Sequence, residues 1–226
     1  MIAEKWYDSY DNDPLVYDRF SSYEDFGGKV LSKLIELLPL KGSKILDIGC
    51  GTGKYVKALS PLVTTYFALD KSADMLRVTK AKCKSFDNVT FINANSSSIP
   101  LKDNSIDVVL STWGLGSRVL PETMKEVARL IKPLGEMWFI TNFPESRFMD
   151  MRGLPAIEKD RFYIERLKRE YGFQHVCTVN TSFHFPSIDE MRYLCKYFFG
   201  ESTQKYIDDS KSKDLGHAVV FLKKQF

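Results

Sequence analysis

Several things are scarce in this chain of 226 residues, and each scarcity closes off a class of protein. Cysteine occurs four times, at positions 50, 83, 177 and 195, never as a CxxC pair, and the three histidines (175, 184 and 217) are equally scattered. A structural zinc site or a stapled disulfide framework therefore lacks its ligand spacing, and no metal is expected. Unpaired thiols fit a reducing compartment, which points to the cytoplasm. No apolar run approaches the roughly 20 residues of a membrane-spanning helix. The N-terminal "MIAEKWYDSYDND" has none of the apolar core of a secretion signal. A large charge imbalance is also missing: the formal net charge is +3 and the pI is near 8.5. That speaks against a broad electrostatic footprint for nucleic acid and leaves room only for a local basic patch. Internal repeats, low-complexity tracts and Gly/Ser linkers are absent, so one domain is expected over 1–226.

What is present is an alternation. With 44% hydrophobic and 27% charged residues the composition is that of an ordinary globular domain. An amphipathic helix is expected over 30–38, with Leu31, Leu34, Ile35 and Leu38 on one face. Strands are expected at 44–49, 64–70, 88–95, 105–112 and 136–143. Helices are expected between them at 54–60, 72–83 and 121–132. Ser72 is a plausible N-cap, and Pro121 suits a first helical turn. The remainder reads helix 158–171, strand 173–185, helix 187–199, strand 217–223. "SIDE" at 187–190 has the capping-box pattern. Strands alternating with helices predict a doubly wound α/β fold whose parallel sheet is covered on both faces.

The first 43 residues differ in kind and are expected to form an N-terminal helical cap. Trp6, Tyr7, Tyr10, Tyr17, Phe20, Tyr23 and Phe26 all precede the first strand, and "DNDP" and "FGG" read as turns. Residues 1–28 are expected to be a mobile lid over a ligand cleft; a fixed cap packed on the sheet edge is the competing reading.

The stretch "ILDIGCGTGKYV" (45–56) carries the chemistry. An apolar run containing Asp47 ends in glycines at 49, 51 and 53. Glycine tolerates positive φ and lets a ligand reach the backbone. In open α/β sheets, ligands bind beyond the carboxyl ends of the strands. A dinucleotide fingerprint needs its third glycine at 54, where the chain has Lys54. A P-loop needs wider glycine spacing and a hydroxyl where Tyr55 stands.

The chain instead resembles the class I S-adenosylmethionine-dependent methyltransferases, over nearly its whole length. "LDIGCGTG" matches the family's first strand and glycine turn. "FALDKS" matches its second strand with a terminal acid, Asp70. "INANSSSIPLKDNSIDVVLS" matches its third strand, adenine loop and fourth strand, and "EVARLIKPLGEMWFIT" its fifth unit. The resemblance implies a Rossmann-like, mostly parallel seven-stranded sheet whose last strand is antiparallel. It implies S-adenosylmethionine as cofactor and S-adenosylhomocysteine as product. It assigns Asp70 to the ribose hydroxyls, although Asp70 also reads as a cap for the following helix. It places Gly49, Cys50, Gly51 and Gly53 along the methionine moiety. Asp47 is assigned to the floor beneath them, ordering the glycine turn or meeting the cofactor's amino group. Lys71, Met75, Asn95, Ser96 and Thr112 fall around the nucleoside, and Tyr10 and Tyr17 beside the sulfonium.

The chain departs from the family pattern twice. Asn95 stands where Asp is frequent, keeping a carbonyl acceptor without the charge. Leu134 stands where the turn of the fifth unit usually has glycine, which implies strain or a different turn type.

For the acceptor the sequence offers less. "STWGLGSRV" lacks the Asn-Pro-Pro-Tyr-like motif by which related enzymes hold amide or adenine nitrogens, and no Pro-Cys pair serves cytosine. The closest branch is the small-molecule group resembling quinone-biosynthesis methyltransferases, so a small-molecule acceptor is expected. Trp113, Arg118, Arg147 and His184 are candidate acceptor residues, with Arg152 a further loop cation. Tyr193 joins His184 as a base candidate by residue type alone, and no residue identifies itself as catalytic. An RNA- or protein-modifying methyltransferase and a non-catalytic binding protein on the same fold remain as alternatives.

Overall fold

The structure is a computed structural model describing residues 13–115 and 121–226. Tyr10 and Arg118 lie outside the described residues. The elements in chain order are α1 (Pro14–Ser22), α2 (Lys29–Leu37), β1 (Lys44–Ile48), α3 (Lys54–Leu59), β2 (Thr65–Asp70), α4 (Ala73–Lys82), β3 (Val89–Asn93), β4 (Ile106–Thr112), α5 (Pro121–Leu130), β5 (Ile131–Asn142), α6 (Arg147–Arg152), α7 (Leu154–Tyr171), β6 (Gln174–His184), α8 (Ile188–Phe199), α9 (Ser202–Ser210) and β7 (Asp214–Gln225). The seven strands form one sheet in the order β3-β2-β1-β4-β5-β7-β6. β1 pairs parallel with β2 and β4, β2 with β3, and β4 with β5. β7 runs antiparallel to both β5 and β6. The expected parallel sheet with its antiparallel last strand is therefore present.

Side chains alternate across each strand and build a core on both faces. Leu46 and Ile48 of β1 join Phe139, Met124, Val127 and Leu167, so α5 and α7 cover that face. Ile45 joins Tyr66, Val108 and Ile140 on the other, under Val30 and Leu34 of α2 and Val56 and Leu59 of α3. A third apolar cluster gathers Phe20 of α1, Phe148 and Met149 of α6, Phe183 of β6, Met191, Phe198 and Phe199 of α8, Ile207 of α9 and Leu215 of β7. Because β6 ends and β7 begins in it, this cluster sits at the carboxyl end of the parallel strands.

Four helices differ from the sequence expectation, α9 among them, since no element is expected between 199 and 217. The Asp-Pro pair at 13–14 starts a helix: the Asp13 carboxylate accepts from Val16 N (3.1 Å) and Pro14 opens α1. α6 begins under a Ser146 cap that accepts from Met149 N. α7 begins at Leu154, four residues before the expected 158. The first 43 residues also divide. α2 covers a sheet face, whereas α1 lies in the aromatic cluster at the strand ends.

Within residues 13–28, α1 is fastened by ion pairs of Asp18 with Lys82, Arg19 with Glu190 and, just beyond it, Glu24 with Lys54. Phe20 is buried against Phe183 and Phe198. Residues 1–12 of the expected lid lie outside the described residues, and these contacts tie 13–28 to α3, α4 and α8.

Candidate functional site

The glycine turn works as its sequence requires. Gly49, Gly51 and Gly53 have φ of 76°, 55° and 78°, a region costly for other residues. A Cβ on Gly49 would lie 2.5 Å from Gly114 Cα, so the backbones leaving β1 and β4 touch. One on Gly53 would lie 2.5 Å from the Thr79 methyl, which brings α4 against the turn. Thr79 Oγ1 also donates to Gly51 O (2.7 Å).

The turn amides are held from β2. Gly49 N and Cys50 N donate to Leu69 O (2.8 and 3.0 Å). Gly51 N donates to Asp70 Oδ2 and Ser72 N to Asp70 Oδ1, both at 2.9 Å. Asp70 thus clamps the glycine turn to the start of α4, and the N-cap of α4 is Ser72, which accepts from Met75 N (3.3 Å). The expectation that Asp47 orders the turn is corrected. Its Oδ2 accepts from Tyr66 Oη (2.9 Å), while its Oδ1 is buried without a hydrogen-bond partner. Burial pushes the Asp47 carboxyl up to about 7, with the nearby Asp70 charge adding and the Tyr66 hydrogen bond opposing.

Three recesses meet at the ends of β1, β2 and β4. The first is lined by Tyr17, Gly49, Asp70, Lys71, Asn95, Ser96, Thr112 and Trp113. It brings together eight residues that the sequence singles out. A narrow second recess follows the glycine turn past Cys50, Gly51, Lys54 and Glu24. The third is a cavity of about 120 Å³ walled by Phe20, Phe148, Phe183 and Phe199, with Glu24, Asn142, Arg152, Lys159 and Asp160 as its polar strip. Tyr17 and Trp113 border all three. Trp113 adopts φ 56°, rare for a bulky residue, and is held there by Nε1 donating to Asn142 Oδ1 (2.8 Å) and its N–H to Ile140 O (2.9 Å).

Not every expected residue lines these recesses. Met75 is fully buried on α4, Asp47 lies beneath the floor, and Gly53 is packed on Thr79. Asn95 lines the first recess, but its Oδ1 already accepts from Ser97 N (3.2 Å) and Ser97 Oγ (3.1 Å), so its carbonyl is turned into its own loop. Arg147 is exposed and borders a different groove beside Glu145 and Asp150. His184 stacks on Phe26 and bonds Asp214 at the far end of β6, and the Tyr193 ring is half exposed. Of the described arginines among the candidates, Arg152 is the one that reaches the third cavity, its guanidinium 5.5 Å from the Phe148 ring centroid and 5.2 Å from that of Phe199.

Sequence reasoning missed Glu24, Asn142, Lys159, Asp160 and His217. Glu24, His217, Asn142 and Asp160 form one polar chain with Lys54. Lys54 Nζ donates to Glu24 Oε2 (3.1 Å), His217 Nδ1 stands 3.3 Å from Glu24 Oε1, His217 Nε2 meets Asn142 Oδ1 (3.1 Å), and Asn142 Nδ2 donates to Asp160 Oδ2 (3.0 Å). Burial alone would raise the Glu24 carboxyl; Lys54 and His217 outweigh it and hold it below the usual range. Among the described residues, no group of three or more His, Cys, Asp or Glu side chains is arranged to hold a metal. All four cysteines are free. No described helix is long and apolar enough to cross a membrane.

Fold and site together define a nucleoside-cofactor domain of the methyltransferase type, with the glycine turn and a strand-terminal acid at the point where strand order reverses. Residues 45–135 match a family model described as a methyltransferase domain. The chain is 31% identical over 163 residues, 70% of its length, to malonyl-[acyl-carrier protein] O-methyltransferase of Marinomonas sp., covering 57% of that protein. It is 37% identical over 128 residues, 53% of its length, to demethylmenaquinone methyltransferase of Staphylococcus aureus, covering 52% of it. The match thus spans little more than half of either relative. Among solved structures, the YcgJ protein of Bacillus subtilis superposes with a TM-score of 0.62 at 17% identity, covering 86% of this chain and 97% of that one. A SAM-dependent methyltransferase from Aquifex aeolicus gives 0.61 at 18%, covering 93% and 98%. These matches support a class I S-adenosylmethionine-dependent methyltransferase.

Proposed function

We propose that this protein transfers the methyl group of S-adenosylmethionine to a small-molecule acceptor in the cytoplasm. The observation that carries the reading is the junction of two recesses across Tyr17, Trp113 and Gly114. One recess has the lining of a nucleoside site, and the other is a small, partly open aromatic cavity. Such a cavity suits a small acceptor better than a nucleic-acid or protein chain. Two relatives are named for malonyl-[acyl-carrier protein] and demethylmenaquinone as substrates. Four free thiols fit the proposed compartment.

The residues present fit the cofactor. Asp47 Oδ1, buried and unpartnered below the glycine turn, is an acceptor suited to an ammonium group. Asp70 holds the turn and retains acceptor capacity toward vicinal hydroxyls, because a carboxylate takes several donors. Gly49, Gly51 and Gly114 let the ligand approach bare backbone. Lys71, Asn95, Ser96 and Thr112 complete the nucleoside lining. Bound S-adenosylmethionine supplies an electrophilic methyl group; the chain's task is to align the acceptor and exclude water. Trp113 and Tyr17 separate the two recesses and offer π faces to a cation.

Calorimetric titration tests this. S-adenosylmethionine and S-adenosylhomocysteine are expected to bind at one site per chain, and NAD not to bind; the reverse pattern overturns the reading. Labelled cofactor incubated with fractionated extract should then place label in small metabolites rather than in RNA or protein.

A further inference from the structure

We propose that the acceptor is a small ring carrying a carboxylate, and that Arg152, with Lys159 beside it, is the residue that selects it. The inference rests on the methyl-transfer reading and deepens it by naming the acceptor's class. The aromatic cavity has two unlike ends. Tyr17, Trp113 and Gly114 border both the cavity and the cofactor recess. Arg152, Lys159 and Asp160 border the cavity and neither of the other two recesses. The cations therefore mark the end away from the cofactor. A carboxylate held there anchors the acceptor, and the atom to be methylated lies at the opposite end, beside Trp113.

The place of the Arg152 guanidinium is fixed by what it packs on. Its central carbon lies 5.5 Å from the Phe148 ring centroid and 5.2 Å from that of Phe199, and both rings wall the cavity. The two rings meet edge to face at 5.5 Å, so they form one continuous surface under the charge. With its side chain only 18% exposed, Arg152 stands at the cavity wall and not on a loop in solvent. Nη1 donates to Met149 Sδ at 3.4 Å and lies 3.7 Å from Asp160 Oδ2. A guanidinium presents five donors around one plane, so it can keep Asp160 near Nη1 and also take a ligand carboxylate.

The balance of charge at this end favours an anion. Among the described lining residues, two cations, Arg152 and Lys159, stand there against one carboxylate, Asp160. Asp160 already accepts from Asn142 Nδ2 at 3.0 Å. The cavity's other carboxylate, Glu24, also borders the glycine-turn recess, and Lys54 Nζ at 3.1 Å matches its charge. Phe20, Phe148, Phe183 and Phe199 wall the space between. A carboxylate entering that space gives up water and needs a cation in return, which this end supplies.

Size and shape narrow the ligand further. The cavity of about 120 Å³ is close to one known to hold benzene, about 150 Å³, and it is partly open, so it admits a single ring with a small substituent. A carboxylate matches the guanidinium in shape and can take two parallel hydrogen bonds from it. A neutral amide of the same outline fills the same space without the charge. The preference between the two is therefore a direct reading of what Arg152 does.

The test titrates full-length protein, saturated with S-adenosylhomocysteine, with 4-fluorobenzoate and with its neutral isostere 4-fluorobenzamide, read by fluorine NMR. The carboxylate should bind about tenfold or more tightly than the amide. Arg152→Met should bring the two within about twofold of each other at full S-adenosylhomocysteine occupancy. Arg152→Lys should keep part of the preference, since the charge stays and the planar fork is lost. If R152M does not fold, Lys159→Met takes its place, with a fall of about threefold in the preference expected and an unmoved preference overturning the inference. Equal binding of the two probes, a preference that persists in R152M, or no binding of either probe to the loaded protein also overturns it. So does label recovered from extract as an alkali-labile methyl ester, because the carboxylate would then be the group methylated and not the anchor. Failure of S-adenosylhomocysteine to bind the unmodified protein overturns the methyl-transfer reading instead.

Discussion

The two halves of the site are built by different means. The recess around Asp70 is made by backbone: three left-handed glycines, amides donated to Leu69 and Asp70, and two strand ends touching at Gly49 and Gly114. Apart from Tyr17, its lining lies within one stretch, 48–115, and rigid parallel strands set the positions. The aromatic cavity is made by side chains drawn from α1, β5, α6, α7, β6 and α8. Its parts lie over a hundred residues apart and are held by ring packing and one polar chain. A site made of backbone tolerates almost no change of residue at its glycines. A site made of side chains can be repacked for a new acceptor while the sheet beneath stays as it is.

The hardest way to break this contrast is at the touching backbones. Gly49→Ala places a Cβ 2.5 Å from Gly114 Cα and forces a non-glycine residue to φ 76°. Left-handed strain alone costs about 1–2 kcal/mol, and backbone cannot give way as a flexible side chain does. Loss of measurable S-adenosylhomocysteine binding by calorimetry, with a clearly lowered melting temperature, is the expected outcome. Full binding would show that the two strand ends are free to part.

Asp70→Asn comes next. It keeps the shape and removes the charge from hydrogen bonds to Gly51 N and Ser72 N. Charge-assisted bonds are each worth about 1.5–3 kcal/mol, so a loss of tenfold or more in cofactor affinity is expected, together with measurable destabilisation of the turn. Unchanged affinity would leave Asp70 as a purely structural clamp.

Asp47 adds a pH signature to the same half. Its folded-state value, about 7, lies above the ordinary 3.8, so between those values the folded protein holds a proton that the unfolded chain has released. Stability contributed by this group is present in full below pH about 4 and is lost as pH rises to about 7. Comparing melting temperatures across that range, Asp47→Asn should lose this component of the decline. Parallel curves for the two proteins would show that the carboxyl titrates normally.

The same division decides what could be read in advance. The glycine turn and Asp70 were legible as candidates because a strand-terminal acid and a tight turn stand at short fixed spacing, whereas the bonding of Asp47 to Tyr66 and of Asn95 to Ser97 was not. The mostly parallel sheet was legible because alternating strands and helices leave few connections. Glu24, Asn142, Asp160 and His217 were not, since nothing in "SSYEDFGG" or "DLGHAVV" records that Glu24 and His217 face each other. Only the pairing of β7 between β5 and β6, with α1 laid over the strand ends, brings them together. The helix start at 13–14 was misread because Asp-Pro initiates turns and helices alike, and the choice between them lay in the burial of Phe20.

A probe of the acceptor half should spare the cofactor half. Arg152→Met removes a guanidinium packed on Phe148 and Phe199 and paired at 3.7 Å with Asp160. A stability loss of about 1 kcal/mol is expected from the ring contacts. S-adenosylhomocysteine affinity should stay within about twofold, while label transfer to the acceptor fraction falls. A large drop in cofactor affinity would mean that the two recesses are one coupled unit.

The smallest expected effect lies at Leu134, remote from both recesses. The residue has φ 66°, is 78% exposed, and is pinned there because its N–H donates to Phe226 O (2.8 Å). The turn cannot relax into another type, since the next residue, Gly135, has no room for a side chain: a Cβ there would meet Ile131 Cγ1 at 2.6 Å and Lys132 O at 2.9 Å. The left-handed strain of about 1–2 kcal/mol is therefore carried at Leu134 itself, with no buried contact in return. Leu134→Gly relieves it but gives the unfolded chain more freedom, worth about 0.5–1 kcal/mol. The net expectation is a stabilisation of about 0.5–1 kcal/mol, seen as a rise of roughly 1–4 °C in melting temperature, with cofactor affinity untouched. A fall in melting temperature would show that the leucine side chain contributes packing that outweighs its strained backbone.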